Sequence, residues 1–341
     1  MSDAGGRAEG AALAPSLELA RKLCEMASNY PPYHHLLGHY EWRTGGHQAA
    51  ALAFGQAATL YDHWMKANKV PVADCPEWVK AEAYRAVALS SKGDFDAALA
   101  AAKQLAATPV DVTRLLAAGT RLQLWEAQTL PARLLMRRGQ PGDAELALAA
   151  LPKPDVAKVY EGKCMAFWWI DALRIALDGQ RLVDADKLDA AKEVVEALAF
   201  HGTQMAKLQP AANQNGERSA WTRAFKALEL LACDLRGRMA LRAQRELRGA
   251  AFNWFRSAAD RQRPAVMLYP PLILSAELVK LGYYHLLDEK PEAAVVAFKD
   301  ALQAYPNDIE GLQGLQRALE AAKQPEEAAA VAAQIKLQLT P

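Results

Sequence analysis

The chain has 341 residues, 52% of them hydrophobic and 23% charged, which is enough apolar material for a packed core and makes the chain as a whole globular rather than disordered. Lys+Arg 40 against Asp+Glu 39 leaves a net charge of +1, so no overall field draws it to nucleic acid or an anionic membrane. No apolar run approaches the ~18 residues of a membrane span, so membrane insertion is not expected either. Cys24, Cys75, Cys164 and Cys233 stand far apart with no CxxC pair, and they read as small buried hydrophobes.

Residues 1–15, MSDAGGRAEGAALAP, lack the basic region and apolar core of a signal peptide. They read as a disordered tail before one helical domain spanning 16–338. The expected compartment is the cytoplasm as the sequence stands, or the periplasm if a native leader has been removed. Residues 16–29 predict an amphipathic helix with Leu17, Leu19, Ala20, Leu23 and Met26 on one stripe.

Residues 31–57 predict two helices joined at Gly45-Gly46. Leu37-Gly38 lies in the first; Ala50, Phe54 and Ala57 share a face of the second. Pro31-Pro32 suits a first helical turn. The pattern returns at 78–106, with a turn at Gly93-Asp94 and Ala98. It returns again at 129–152, with turn glycines Gly139 and Gly142, then Ala144 and Leu148, and Leu151-Pro152 at the end. Residues 157–178 and 186–207 predict a longer pair, joined by DGQRLVDAD and packing through Ala191. Another pair spans 217–243 and 247–262, with Ala251, Phe255 and Ala258. The clearest copy carries Leu281, Gly282, Ala294, Phe298, Ala301 and Pro306, and Ala328 follows Ala294 by 34 residues in a more polar terminal copy. No segment shows sustained period-2 alternation, which makes the expected fold class all-α.

These positions resemble the tetratricopeptide repeat, in which small residues let two helices approach and an aromatic fills the space between repeats. The resemblance covers roughly residues 31–335. It implies a right-handed α-solenoid of about six to seven repeats. Spacings of 48, 46 and 47 residues between Ala50, Ala98, Ala144 and Ala191 imply insertions between repeats. A HEAT-like array has repeats of that length, but the glycine turn and the alanine and aromatic offsets fit the tetratricopeptide unit better. Large uncharacterised bacterial tetratricopeptide proteins often carry two histidines four residues apart in the first helix, as His35 and His39 stand here.

The resemblance also implies a concave groove lined by the first helix of each copy. In the first copy that face carries His35, His39, Trp42 and Arg43, spaced along one helical stripe. The second copy places Lys80, Ala83, Val87, Ser90 and Ser91 there. The third places Glu126, Thr129, Arg133, Met136 and Arg137, and the penultimate copy Val279 and Tyr283. Arg43, Lys80, Arg133 and Arg137 make such a groove locally cationic, and its expected guest is a small anionic ligand or a peptide or protein segment ending in a carboxylate.

His35 and His39 at i, i+4 also fit a Zn²⁺ or Cu²⁺ chelate, although the glutamate of the HEXXH motif is missing and no other cofactor is indicated. His34 reads as structural, and His47, after the glycine turn, as solvated. Of Trp168 and Trp169, one is expected in the core and the other, taken as Trp169, against a ligand. A break in the rhythm at 200–221 gathers His201, Gln204, Asn213, Gln214, Asn215, Glu217, Arg218 and Trp221 around a polar loop. No nucleophile elbow, phosphate loop or dinucleotide fingerprint is present, so the sequence assigns no catalytic residue. The leading expectation is a non-catalytic binding or adaptor protein. The alternative is an enzyme on the same scaffold, using His35 and His39 with Glu126 or His201.

Overall fold

The computed structural model describes residues 13–153, 164–211, 215–243, 249–262 and 270–340, and among these it is all-α, with no strand. The first half runs α1 (Ala14–Met26), α2 (Pro31–Arg43), α3 (His47–Asn68), α4 (Pro76–Lys92), α5 (Phe95–Ala106), α6 (Ala118–Trp125), α7 (Leu130–Arg138) and α8 (Asp143–Ala150). The second half runs α9 (Ala166–Asp184), α10 (Leu188–Lys207), α11 (Asn215–Arg242), α12 (Gly249–Arg261), α13 (Glu277–Leu287), α14 (Pro291–Ala304), α15 (Ile309–Ala321) and α16 (Pro325–Leu339). Among the described residues no helix is long and apolar enough to cross a membrane.

Local sequence explains the boundaries. Proline opens α2, α4, α14 and α16, where a missing N–H costs nothing. Gly93 ends α4 at φ +102°, and the Asp94 carboxylate then caps α5 by accepting from the Ala97 N–H. Most helices pack chiefly on a sequence neighbour, as α2 does on α3 and α3 on α4, whereas α6 packs on α4. The alanines expected to pack do so: Ala50, Ala98, Ala191, Ala251 and Ala294 are inaccessible. A Cβ on Gly38 would lie 2.7 Å from the Phe54 ring, and one on Gly282 would lie 2.7 Å from Phe298. Gly237 meets Phe255 in the same way.

Several expectations are corrected. Residues 14 and 15 belong to α1, while 1–12 lie outside the described residues. The α1 stripe is mostly uncovered, with Ala20 buried but Leu19 and Met26 exposed, because α2 is the main neighbour available to cover it. The fourth pair turns at the very end of DGQRLVDAD, at Ala185-Asp186. Helix α9 runs through Gly179 to Asp184, and Gly179 serves a close approach, its place for a Cβ lying 2.5 Å from Leu235. The predicted start at 157 falls outside the described residues. Three cysteines are buried and Cys24 is partly exposed, all with free thiols.

The last helices return to the turns at Gly45 and Gly93. Asn307 Nδ2 donates to the Gly45 carbonyl at 3.2 Å, and Gln338 Nε2 to the Ser91 and Lys92 carbonyls at 3.1 Å each. Ile309 and Leu339 lie against Gly93. His47 is therefore not solvated; it is 4% exposed, beside Pro306, Asn307 and Asp308. Residues 270–275 run through the middle, with Leu272 in a core cluster around Trp125 and Trp169, and Leu274 in a second around Phe54 and Tyr84.

Candidate ligand cleft

Helix α2 buries its polar stripe against α3 and α4. His39 is 3% exposed, and its Nε2 lies 3.1 Å from His35 Nε2, so one imidazole donates and the other accepts. Phe54 and Tyr84 enclose the pair, with ring centroids 5.2 and 4.3 Å from His39. Burial, aided by the Lys80 charge, lowers His35 to about 4. His39 is lowered further by burial and then by His35, Arg43 and Lys80. Both rings are neutral at pH 7. Two Nε2 atoms at this separation can share one Zn²⁺ at bonds of about 2.0–2.1 Å. Among the described residues no group of three or more His, Cys, Asp or Glu could hold a metal.

The rest of the expected groove wall is covered. Trp42 donates through Nε1 to Ser91 Oγ at 3.2 Å, and Ser91 Oγ also accepts from Arg137 Nη1 at 3.4 Å. Residues assigned to one face in the first three copies therefore do meet, but inside the protein. Arg137 grips Asp308 with Nη2 at 2.8 and 2.7 Å, and Arg133 donates to Glu126 Oε2 at 3.1 Å and to the Pro271 carbonyl at 2.9 Å. The accessible groove positions expected for Trp42, Arg133 and Arg137 are corrected: residues 270–275 and 306–308 fill that space. Beside Arg137, burial raises the Glu310 carboxyl to about 7, against the opposing pull of Arg137.

Trp169 is also corrected, being inaccessible in the core, while Trp168 is the partly exposed member of the pair. His201 is buried rather than on a polar loop. It donates through Nε2 to the Trp168 carbonyl at 2.9 Å, and it shares α10 with the partly exposed Gln204. Glu217 is buried too, accepting from Trp125 Nε1 at 3.3 Å, whereas Asn213 and Gln214 lie outside the described residues. Tyr283 packs edge-on against Phe298, 5.1 Å away. His34 Nε2 donates to the Ser28 carbonyl at 2.7 Å, in keeping with a structural role.

One part of the face stays open. Lys80 of α4, Arg121 and Trp125 of α6, Glu126, and Arg223 of α11 line a cleft of about 90 Å³. That is room for a carboxylate or phosphate, given the roughly 10–15 Å³ a single water requires. Arg121 lies flat on Gly216, where a Cβ would come within 2.3 Å of the guanidinium. Among the described residues Arg121 has no ion-pair partner. Glu126 is held by Arg223 at 2.7 Å and Arg133 at 3.1 Å, so three cations face one satisfied carboxylate. Helix α6 runs along the cleft from Ala118 to Trp125, and the first two turns of α11 line it through Gly216, Ala220 and Arg223. Sequence reasoning found Lys80 and Glu126 but missed Arg121 and Arg223. The third copy's face was taken to begin at Glu126, and nothing in the local pattern brings α11 alongside α6.

A scan against family models finds none that matches the chain, and a search of curated proteins finds no significant relative.

Proposed function

We propose that this chain is a tetratricopeptide-like repeat protein that binds, without chemistry, a small anionic ligand in the cleft between α4, α6 and α11. The observation that carries the reading is the charge of that cleft, where Lys80, Arg121 and Arg223 stand around the already paired Glu126. Its ligand presents a carboxylate or phosphate to Arg121, and a peptide or protein C-terminus offers the same chemistry. Calorimetric titration with inorganic phosphate, citrate and a short peptide with a free C-terminus tests this. Arg121→Ala should weaken the tightest of the three about tenfold, the loss of one charge-assisted contact, while the exposed Lys192→Ala leaves it unchanged. Equal affinity in both variants rules the cleft out.

A second reading has the His35–His39 contact behind it: two neutral imidazoles at 3.1 Å are poised to chelate a divalent ion. Titration with Zn²⁺ decides it. Submicromolar binding that vanishes in His39→Ala favours a metal-dependent role, and binding unaffected by that change removes it.

A further inference from the structure

We propose that an anion in the cleft loosens residues 270–275, acting through Arg223, Glu126 and Arg133. The inference rests on the cleft reading above and assigns it a regulatory consequence. Glu126 divides its two oxygens between two arginines, Oε1 accepting from Arg223 Nη1 at 2.7 Å and Oε2 from Arg133 Nη2 at 3.1 Å. The other nitrogen of each arginine holds the carbonyl of one of two consecutive prolines. Arg223 Nη2 donates to Pro270 at 2.6 Å, and Arg133 Nη1 to Pro271 at 2.9 Å.

Prolines carry no N–H, so this pair is tied down through its carbonyls alone. Downstream, Leu272 and Leu274 enter separate core clusters, and Gln262 Nε2 donates to the Ser275 carbonyl at 2.8 Å. The segment is thus stapled at both ends, and the first staple opens onto the cleft, because Arg223 lines it.

A carboxylate or phosphate in the cleft competes with Glu126 for the Arg223 guanidinium. As Arg223 turns toward the anion, the buried Pro270 carbonyl loses its donor, and a buried acceptor without a partner is costly enough to make the segment open more often. Linkage makes the effect reciprocal: a segment that opens more easily raises anion affinity.

Amide hydrogen exchange on the full chain, with inorganic phosphate as the probe and calorimetry alongside, tests the coupling. Saturating phosphate should speed exchange at residues 272–275 about tenfold, and leave α8 unchanged. Leu274→Val should tighten phosphate binding several-fold. If phosphate binds but exchange at 272–275 is unchanged or slower, and Leu274→Val leaves affinity as it was, the coupling is wrong and the cleft reading survives. If phosphate does not bind, the coupling as proposed falls; if citrate and the peptide do not bind either, the cleft reading falls with it.

Discussion

His35 and His39 on α2, and Arg133 and Arg137 on α7, occupy places that the sequence reading treats as equivalent, yet they are buried by opposite means. The histidines give up their charge. Among Phe54 and Tyr84, burial keeps both imidazoles neutral and they share one hydrogen bond. An arginine has no neutral form within reach, so each is matched to a carboxylate: Arg133 to Glu126, and Arg137 to Asp308 and Glu310. Nearby Asp234 is likewise held between Lys280 and Arg238 at 2.8 Å each. A polar stripe in sequence is therefore no guarantee of an accessible face. What decides its fate is whether later chain supplies matching carboxylates and carbonyls.

The largest expected effect tests that difference directly. Arg137→Ala strips Asp308 and Glu310 of a buried partner and should cost about 3–5 kcal/mol, read as the urea unfolding free energy. His39→Leu replaces a neutral ring of the aromatic cluster and should cost no more than about 1.5 kcal/mol beyond the lost hydrogen bond. Comparable losses in the two variants would erase the distinction between a discharged region and a paired one.

Acidity separates the regions next. His35 and His47 are lowered to about 4, in each case mainly by burial. Between pH 6.5 and 4 the unfolded chain takes up protons that the folded chain refuses. Their contribution is thus complete above pH 6.5 and is lost as pH falls toward 4, on the order of 3 kcal/mol per group. Glu310 runs the other way. Its carboxyl is raised from 4.5 to about 7, so its contribution is complete below pH 4.5 and is lost as pH rises to 7. Wild-type stability should rise between pH 5 and 7, but less than the histidines alone would make it, because the single Glu310 slope offsets only part of theirs. In Glu310→Gln the histidine slope stands alone, and unfolding midpoints at pH 5, 6, 7 and 8 should climb by an amount the wild type does not show. Superimposable profiles would mean that Glu310 does not titrate in this window.

The same contrast explains what was legible in the sequence. Glycine turns, the packing alanines, and the Gly38/Phe54 and Gly282/Phe298 pairs are local, and their spacing alone carries them. The shared face of Trp42, Ser91 and Arg137 was also legible, since helical periodicity fixes it. Its burial was not. Asp308 lies 171 residues from Arg137, and Pro271 lies 138 residues from Arg133; no periodicity encodes such pairings. Arg121 and Arg223 escaped for a related reason, because their cleft forms only where α11 comes alongside α6. Trp169 was misassigned because two adjacent tryptophans point to different sides of a helix, and only packing decides which one is enclosed.

The smallest effects lie in the aromatic region and bear on how tightly it is built. Gly38 has no space for a methyl group, since its Cβ would sit 2.7 Å from the Phe54 ring that also flanks His35 and His39. Gly38→Ala should therefore cost about 1–3 kcal/mol through overpacking. It should also disturb the histidine pair, which near-ultraviolet circular dichroism of the neighbouring Tyr84 and Trp42 would register. Gly55 lies one residue beyond Phe54 on the same helix, but a Cβ there meets only Arg85 at 3.6 Å, an ordinary contact. Gly55→Ala should then gain about 0.5–1 kcal/mol, because alanine loses less backbone freedom in a helix than glycine does. If the two changes had the same sign, the close packing of Phe54 on α2 would not be the constraint that keeps the histidines buried and uncharged.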